Sequence, residues 1–314
     1  MAQQQEPGPP YVPHNAPNGG SPSLSVDIPI TSVLLAIYVI GAIGHMTILQ
    51  VNMRRGHKFL MSGALFGFCM SRIVTCAMRL GVITHPDNVR LNIAANIFLS
   101  AGVLIAYVIA LLLSQRLLRA LQPHLGWSTA MRVLFRLLYV SLAISLALVI
   151  GFTVLSFYTL DTTLRSDALW IQRAAILFLL CFNLVSFFIY LAAVFLPKHS
   201  QAEDFGKSGS MATRKLITGV VIALCILEAG FRAGTTWEAP RPIEDPAWYQ
   251  SKPAFYVFYF GVEILIIYLL LLTRFDQRFW VPNGSKQPGH YSRKETAKLD
   301  LDDLEGTLPT TGAR

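Results

Sequence analysis

The sequence predicts an all-α integral membrane bundle of seven transmembrane helices, amino terminus outside and carboxyl terminus cytoplasmic. Three observations carry this. The 314 residues are 53% hydrophobic and only 14% charged, where a soluble domain carries about 25% charged residues. The mean hydropathy is +0.48, so lipid rather than water must solvate much of the surface. Seven apolar stretches approach the roughly 20 residues that cross a hydrocarbon core, and they fill most of residues 29–273.

Residues 1–28 come first, rich in Pro, Gly and Asn and free of Lys and Arg. Such a composition predicts a disordered extracytoplasmic segment. It lacks the basic start and early apolar run of a signal peptide, so the first helix is expected to act as its own signal anchor. The helices follow at about 29–51, 59–80, 91–113, 133–157, 174–196, 216–233 and 254–273. The sixth is the shortest and most polar. The membrane domain spans residues 29–285, and 286–314 form a polar tail read as disordered and cytoplasmic. No long internal repeat is evident, which disfavours a transporter built from repeated halves.

Charge sets the orientation. The 1–2 loop carries Arg54, Arg55 and Lys58, the 3–4 loop Arg116, Arg119 and Arg132, and the 5–6 loop Lys198, Lys207, Arg214 and Lys215. The opposite loops are poorer in cations, which places the three basic loops in the cytoplasm. The net charge of +8 is thereby explained by topology, and nucleic acid is not an expected partner. The sequon Asn283-Gly284-Ser285 then stays unglycosylated. Trp170, Trp248 and Trp280 fall near helix ends, where an aromatic belt belongs. Residues 116–127 read either as a surface helix or as a plain loop. In Arg274–Trp280, two Arg are expected to meet anionic head groups while Phe275, Phe279 and Trp280 dip into the interface.

Ionisable residues inside the apolar helices are the candidate site. A charge at mid-bilayer costs at least about 2.5–3.5 kcal/mol, so it usually faces the bundle and finds a partner. Arg72 lies in the second helix, Glu228 and Arg232 in the sixth, and Glu263 in the seventh. A rise of roughly 1.5 Å per residue puts Arg72 and Glu228 roughly 18–20 Å from the inner helix ends, and Glu263 roughly 15 Å. Glu228 and Arg232 share a face. Arg72, Glu228, Arg232 and Glu263 are therefore the candidate ligand-binding residues, for a zwitterionic head group or a small polar ligand. The competing reading is an ion network that fixes helix packing. Arg79 and Arg232, nearer the outer boundary, are candidates for snorkelling. His45 and Asn183 read as interhelical hydrogen-bond partners, and Gly41 and Gly44 as close-packing positions.

No enzyme constellation is present. HExxH, GxSxG and phosphate-loop motifs are missing. Paired helix histidines for haem are missing as well. The four cysteines, Cys69, Cys76, Cys181 and Cys225, all lie in apolar segments and suggest packing rather than disulfides or a metal site. No catalytic residue, metal or cofactor is expected. A retinal-binding lysine is absent from the seventh helix. Ser114-Gln115-Arg116 and Gly261–Tyr268 do not match the corresponding motifs of G-protein-coupled receptors.

Four stretches carry a resemblance. They are Gly44-His45-Met46 running into Arg54-Arg55-Gly56-His57-Lys58-Phe59; Phe66-Gly67-Phe68-Cys69-Met70-Ser71-Arg72; Trp248-Tyr249-Gln250-Ser251-Lys252; and Arg274-Phe275-Asp276-Gln277-Arg278-Phe279-Trp280-Val281-Pro282-Asn283-Gly284. Over about residues 30–285 the chain resembles an uncharacterised fungal family of seven-helix membrane proteins, defined as a domain of unknown function. That family transfers no catalytic residue. The chain is more distantly similar to fungal lipid-translocating exporters of the resistance-to-aminocholesterol type, whose acidic and arginine residues around helix six look similar to Glu228, Arg232 and Glu238, although the spacing departs from their pattern. The resemblances imply a fungal source. The expectation is a carrier or lipid-handling protein for an amphipathic or small polar ligand, in the plasma membrane. The alternative is a seven-helix sensory receptor with a cytoplasmic signalling partner.

Overall fold

The computed structural model describes residues 8–11, 15–197, 200–239 and 241–292. Among the described residues seven helices are long and apolar enough to cross a membrane: α1 (Leu24–Arg54), α2 (Leu60–Thr84), α3 (Val89–Leu121), α4 (Thr129–Tyr158), α5 (Thr162–Phe195), α6 (Met211–Trp237) and α7 (Lys252–Leu272). The end of the bundle where α1 begins is called the N-face below, and the opposite end the C-face.

Polar caps start most of these helices. Side chains of Asn88, Ser128, Asp161 and Ser210 accept from backbone N–H groups in the first turns of α3, α4, α5 and α6. These groups have no partner within the helix itself. The Asp161 cap explains why α5 begins at Thr162, twelve residues before the apolar boundary at 174. Its first three turns are polar and stand beyond the hydrocarbon-like stretch.

α3 is the central helix. It packs against α2, α4, α5, α6 and α7, and α1 closes the bundle against α2 and α7. α4 is the most peripheral, and its outward Leu137, Val140 and Ile144 are exposed to the surroundings, as expected where lipid is the solvent. α7 contains one wide turn with i→i+5 hydrogen bonding at Val257–Gly261. Such turns alter the phase of a helix, here just before Glu263.

The C-face departs from expectation in two places. α3 runs on to Leu121, so residues 116–121 are neither a surface helix nor a loop. Arg116 is directed inward, over the Phe59 ring, and donates to the Phe279 carbonyl. Arg119 lies over the Trp127 ring at 4.4 Å. The segment after α7 is likewise internal. Phe275 and Phe279 are fully buried and Trp280 is 8% exposed. Phe275 packs on His45 and Phe59, Phe279 on Phe205, and Trp280 on His57. These rings fill the mouth of the bundle instead of entering lipid, because the 5–6 loop and the 1–2 turn offer an apolar seat. Trp170 and Trp248, at the N-face, are exposed as a belt requires.

Arg214 fastens that arrangement. Its buried guanidinium donates to the Arg278 carbonyl (2.7 Å), to Asp204 (2.6 Å) and to the Gly209 carbonyl (2.9 Å). Beside it, Glu203 accepts from the N–H groups of Gly289, Tyr291 and Ser292. The first residues of the tail are thus held; residues 293–314, where disorder was also expected, lie outside the described residues.

The amino-terminal segment also differs from a disordered reading, in its second half. Residues 1–7 and 12–14 lie outside the described residues. Ala16 N–H donates to the Arg241 carbonyl (2.9 Å), and Gly19 N–H to the Gln250 carbonyl (3.0 Å). The Gln250 side chain returns a bond to the Ala16 carbonyl (3.0 Å). Residues 15–22 form a cap across the N-face.

Candidate functional site

The four intramembrane charges predicted as a site meet in the bundle. Arg72, Glu228 and Glu263 are fully buried and Arg232 is 8% exposed. Arg72 projects from α2 and forms an ion pair with Glu263 of α7. Its other terminal nitrogen donates to the carbonyls of Leu99 (3.0 Å) and Phe98 (3.4 Å) on α3. Gly102 makes room for it: a Cβ there would lie 3.2 Å from the Arg72 guanidinium carbon and 2.8 Å from Ser71 Oγ. Any larger residue would push α3 off the guanidinium.

Arg232 and Glu228 sit one turn apart on α6. Arg232 Nε and Nη2 both donate to Glu228 Oε1, at 3.0 and 2.9 Å. Arg232 Nη2 also lies 3.6 Å from Glu263 Oε1. Glu263 therefore joins the two arginines. Two cations face two anions, so the group is formally neutral, which is what makes it tolerable away from water. Tyr38 of α1 completes it, its hydroxyl shared between Glu263 Oε2 and the Phe260 carbonyl, each at 3.2 Å. That carbonyl lies in the wide turn of α7.

A cavity of about 490 Å³ lies between this group and the N-face cap. Its walls come from α2 to α7, with Asn15 to Pro22 across the top. Of the four predicted residues, Arg232 alone is part of its wall. Arg72, Glu228 and Glu263 stand behind it and hold it in place. The wall is mixed. Arg79, Asn92, Asn96, Ser100 and Gln172 supply polar groups, and Leu104, Leu146, Val149, Ile176 and Leu179 supply apolar ones.

Sequence reasoning missed the cation nearest the cap as a site residue. Arg79 reaches to the N-face end of α7. Its guanidinium lies over the Phe255 ring at 4.3 Å. Phe255 in turn stacks on Tyr259 (5.0 Å), and Tyr259 on the Arg232 guanidinium (4.3 Å). The two arginines therefore end a ladder of two rings, and all four side chains line the cavity. The seven-residue spacing of Arg72 and Arg79, two turns on one helix face, was the available signal. The cap is tied to the same ladder, because Asn18 Nδ2 donates to the Tyr259 hydroxyl (3.1 Å).

His45 and Asn183 make contacts within the bundle. His45 Nε2 contacts the Ile267 carbonyl of α7 at 3.3 Å. Asn183 instead donates to the Leu179 carbonyl of its own helix (2.9 Å), so it is not an interhelical partner by that bond. All four cysteines are free thiols; three are buried and Cys181 is exposed. Among the described residues no three His, Cys, Asp or Glu side chains are grouped to hold a metal ion.

Fold and composition define the class: a multi-pass α-helical membrane protein with seven candidate spans. Residues 203–280 match a family model described as "Protein of unknown function (DUF3112)". The match covers α6, α7 and the C-face segment that Arg214 binds, and so takes in Glu228, Arg232 and Glu263 but not Arg72. Of the four resembling stretches, the third lies inside it, the fourth lies mostly inside it, and the first two lie outside. No curated protein and no solved structure matches the chain.

Proposed function

We propose that this protein carries or handles a small amphipathic molecule, which it binds in the cavity beneath the N-face cap. The observation that supports the reading is the mixed wall of that 490 Å³ space, with Arg79, Arg232 and Gln172 among its polar groups and Leu104, Val149 and Leu179 among its apolar ones. Pockets for small organic ligands span about 300–1,000 Å³ and combine mostly apolar walls with a few fixed polar groups. In this reading Arg232 touches the ligand, whereas Arg72, Glu228 and Glu263 position it. The role is binding and movement, not catalysis. The charge bias of the loops supports an N-face that lies outside; in this reading the plasma membrane is the site of action and the ligand enters from the outer side or the outer leaflet.

The test is transfer of a fluorescent lipid analogue between leaflets of proteoliposomes, with the parent and a cavity-filled Leu104→Trp variant reconstituted at equal density. Transfer by the parent and its loss in Leu104→Trp supports the carrier. Equal rates in protein-free vesicles, parent and variant would refute it and would leave the receptor reading, in which the same cavity takes an external signal and the basic C-face loops meet the partner.

A further inference from the structure

The wall of the cavity is unbalanced in its hydrogen-bonding chemistry. Three of its polar atoms are buried without a partner: Arg79 Nε, Gln172 Nε2 and the Tyr107 hydroxyl. The first two can only donate, and the third donates as readily as it accepts. Tyr107 is itself fully buried. Buried donors in native proteins are nearly always paired, and donors aimed into a cavity suit an acceptor bound there. The charges agree. Among the described residues two arginines line the space and no carboxylate does. Arg79 has no ion pair or hydrogen bond among the described residues, only ring contacts to Phe255 and Tyr256. Arg232 directs Nε and Nη2 to Glu228, which leaves Nη1 for a further acceptor. The acidic side of the Arg232 pair faces away from the cavity, behind the guanidinium.

We infer that the ligand is an anionic amphiphile, whose carboxylate or phosphate head is held by Arg79, with Arg232 a second cation further along the same wall, and whose apolar part lies along Leu104, Val149 and Leu179. A zwitterionic or cationic head group would find no carboxylate among the described residues of this wall to meet its positive end. Guanidinium groups suit either oxyanion because their N–H groups match two oxygens at once. The inference rests on the cavity being the binding site proposed above.

The experiment measures binding to the intact protein in nanodiscs of neutral lipid. Four fluorescent probes of one chain length are compared: a fatty acid, a lysophosphatidic acid, a lysophosphatidylcholine and a fatty alcohol. At least tenfold tighter binding of the two anionic probes than of the alcohol is expected. Arg79→Gln should abolish that preference while the alcohol still binds, and Arg79→Lys should keep most of it. The ratio of the two anionic probes separates a free carboxylate ligand from a phosphate one. If all four probes bind alike and Leu104→Trp blocks them all, the cavity is the site but the anion inference is wrong. An anion preference that Arg79→Gln leaves untouched also overturns it. If no probe binds, or if Leu104→Trp changes nothing, the cavity reading itself fails.

Discussion

Replacing Glu263 with Gln removes one of two anions from a buried group of four charges. The change keeps the volume, and Tyr38 keeps its second acceptor at Phe260. Arg72 keeps the Leu99 and Phe98 carbonyls but loses the one carboxylate that pairs with it. Arg232 keeps Glu228. One positive charge is therefore left uncompensated at zero exposure. Breaking a buried pair from one side costs about 3–5 kcal/mol in soluble proteins, whereas polar contacts between membrane helices average about 0.6 kcal/mol. A net charge, unlike a neutral hydrogen bond, finds no substitute partner in lipid, and an estimate of about 3 kcal/mol follows from the insertion cost of a central charge. That is about a hundredfold in the folding equilibrium. The double change Arg72→Met with Glu263→Gln removes the pair entirely and is predicted to recover all but about 1 kcal/mol. Unfolding in mixed micelles, measured on the parent, both single variants and the double variant, gives the cycle. Single variants as stable as the parent, or a double variant that loses the sum of the two, would refute the neutral-cluster account.

Three further outcomes are expected. Asp27 accepts from Ser23 N–H (2.7 Å), from the Tyr256 hydroxyl (2.8 Å) and from Lys252; Asp27→Asn should lower stability by about 1–3 kcal/mol, and an unchanged melting temperature in detergent would contradict this. Arg214→Ala strips the group that binds Arg278, Asp204 and Gly209, so limited proteolysis should cut residues 200–210 sooner than in the parent, with α1 to α5 protected as before. Gly19 adopts φ +90, and a Cβ there would lie 3.0 Å from the Phe255 ring; Gly19→Val should displace the cap and speed maleimide labelling of a cysteine placed at Asn18, and equal labelling rates would argue against a seated cap.

Much of this molecule was legible because the bilayer imposes a simple rule. Apolar runs long enough to span gave seven helices in the right places, and scarce charges inside them had to find one another. Arg72, Glu228, Arg232 and Glu263 were recognisable for that reason. The helix ends were not, because capping by Asp161 or inward docking of Arg116 depends on tertiary neighbours. Arg274–Trp280 was misplaced for the same cause. Two cations and three aromatic rings at a helix end suit a lipid interface and a buried seam equally, and only the positions of Arg214, Phe205 and Phe59 decide between them. The roles within the site were also hidden. Depth can bring Arg72, Glu228 and Glu263 to one level and periodicity can put Arg232 on the face of Glu228, but they do not say that Arg232 faces a cavity while its three partners stand behind it. Tyr107 gave no signal, since a lone polar residue on an apolar helix usually bonds within the bundle, and Gln172 lies before the apolar run that marked the fifth helix.

The central claim is that the cavity beneath the cap holds an amphipathic molecule. Native mass spectrometry of the protein released from its own membranes tests it most directly, with Leu104→Trp prepared in parallel. The account predicts a bound small amphiphile on the parent and its loss from the variant at equal folded yield. A parent that carries no bound mass, or a variant that retains the same one, would contradict it.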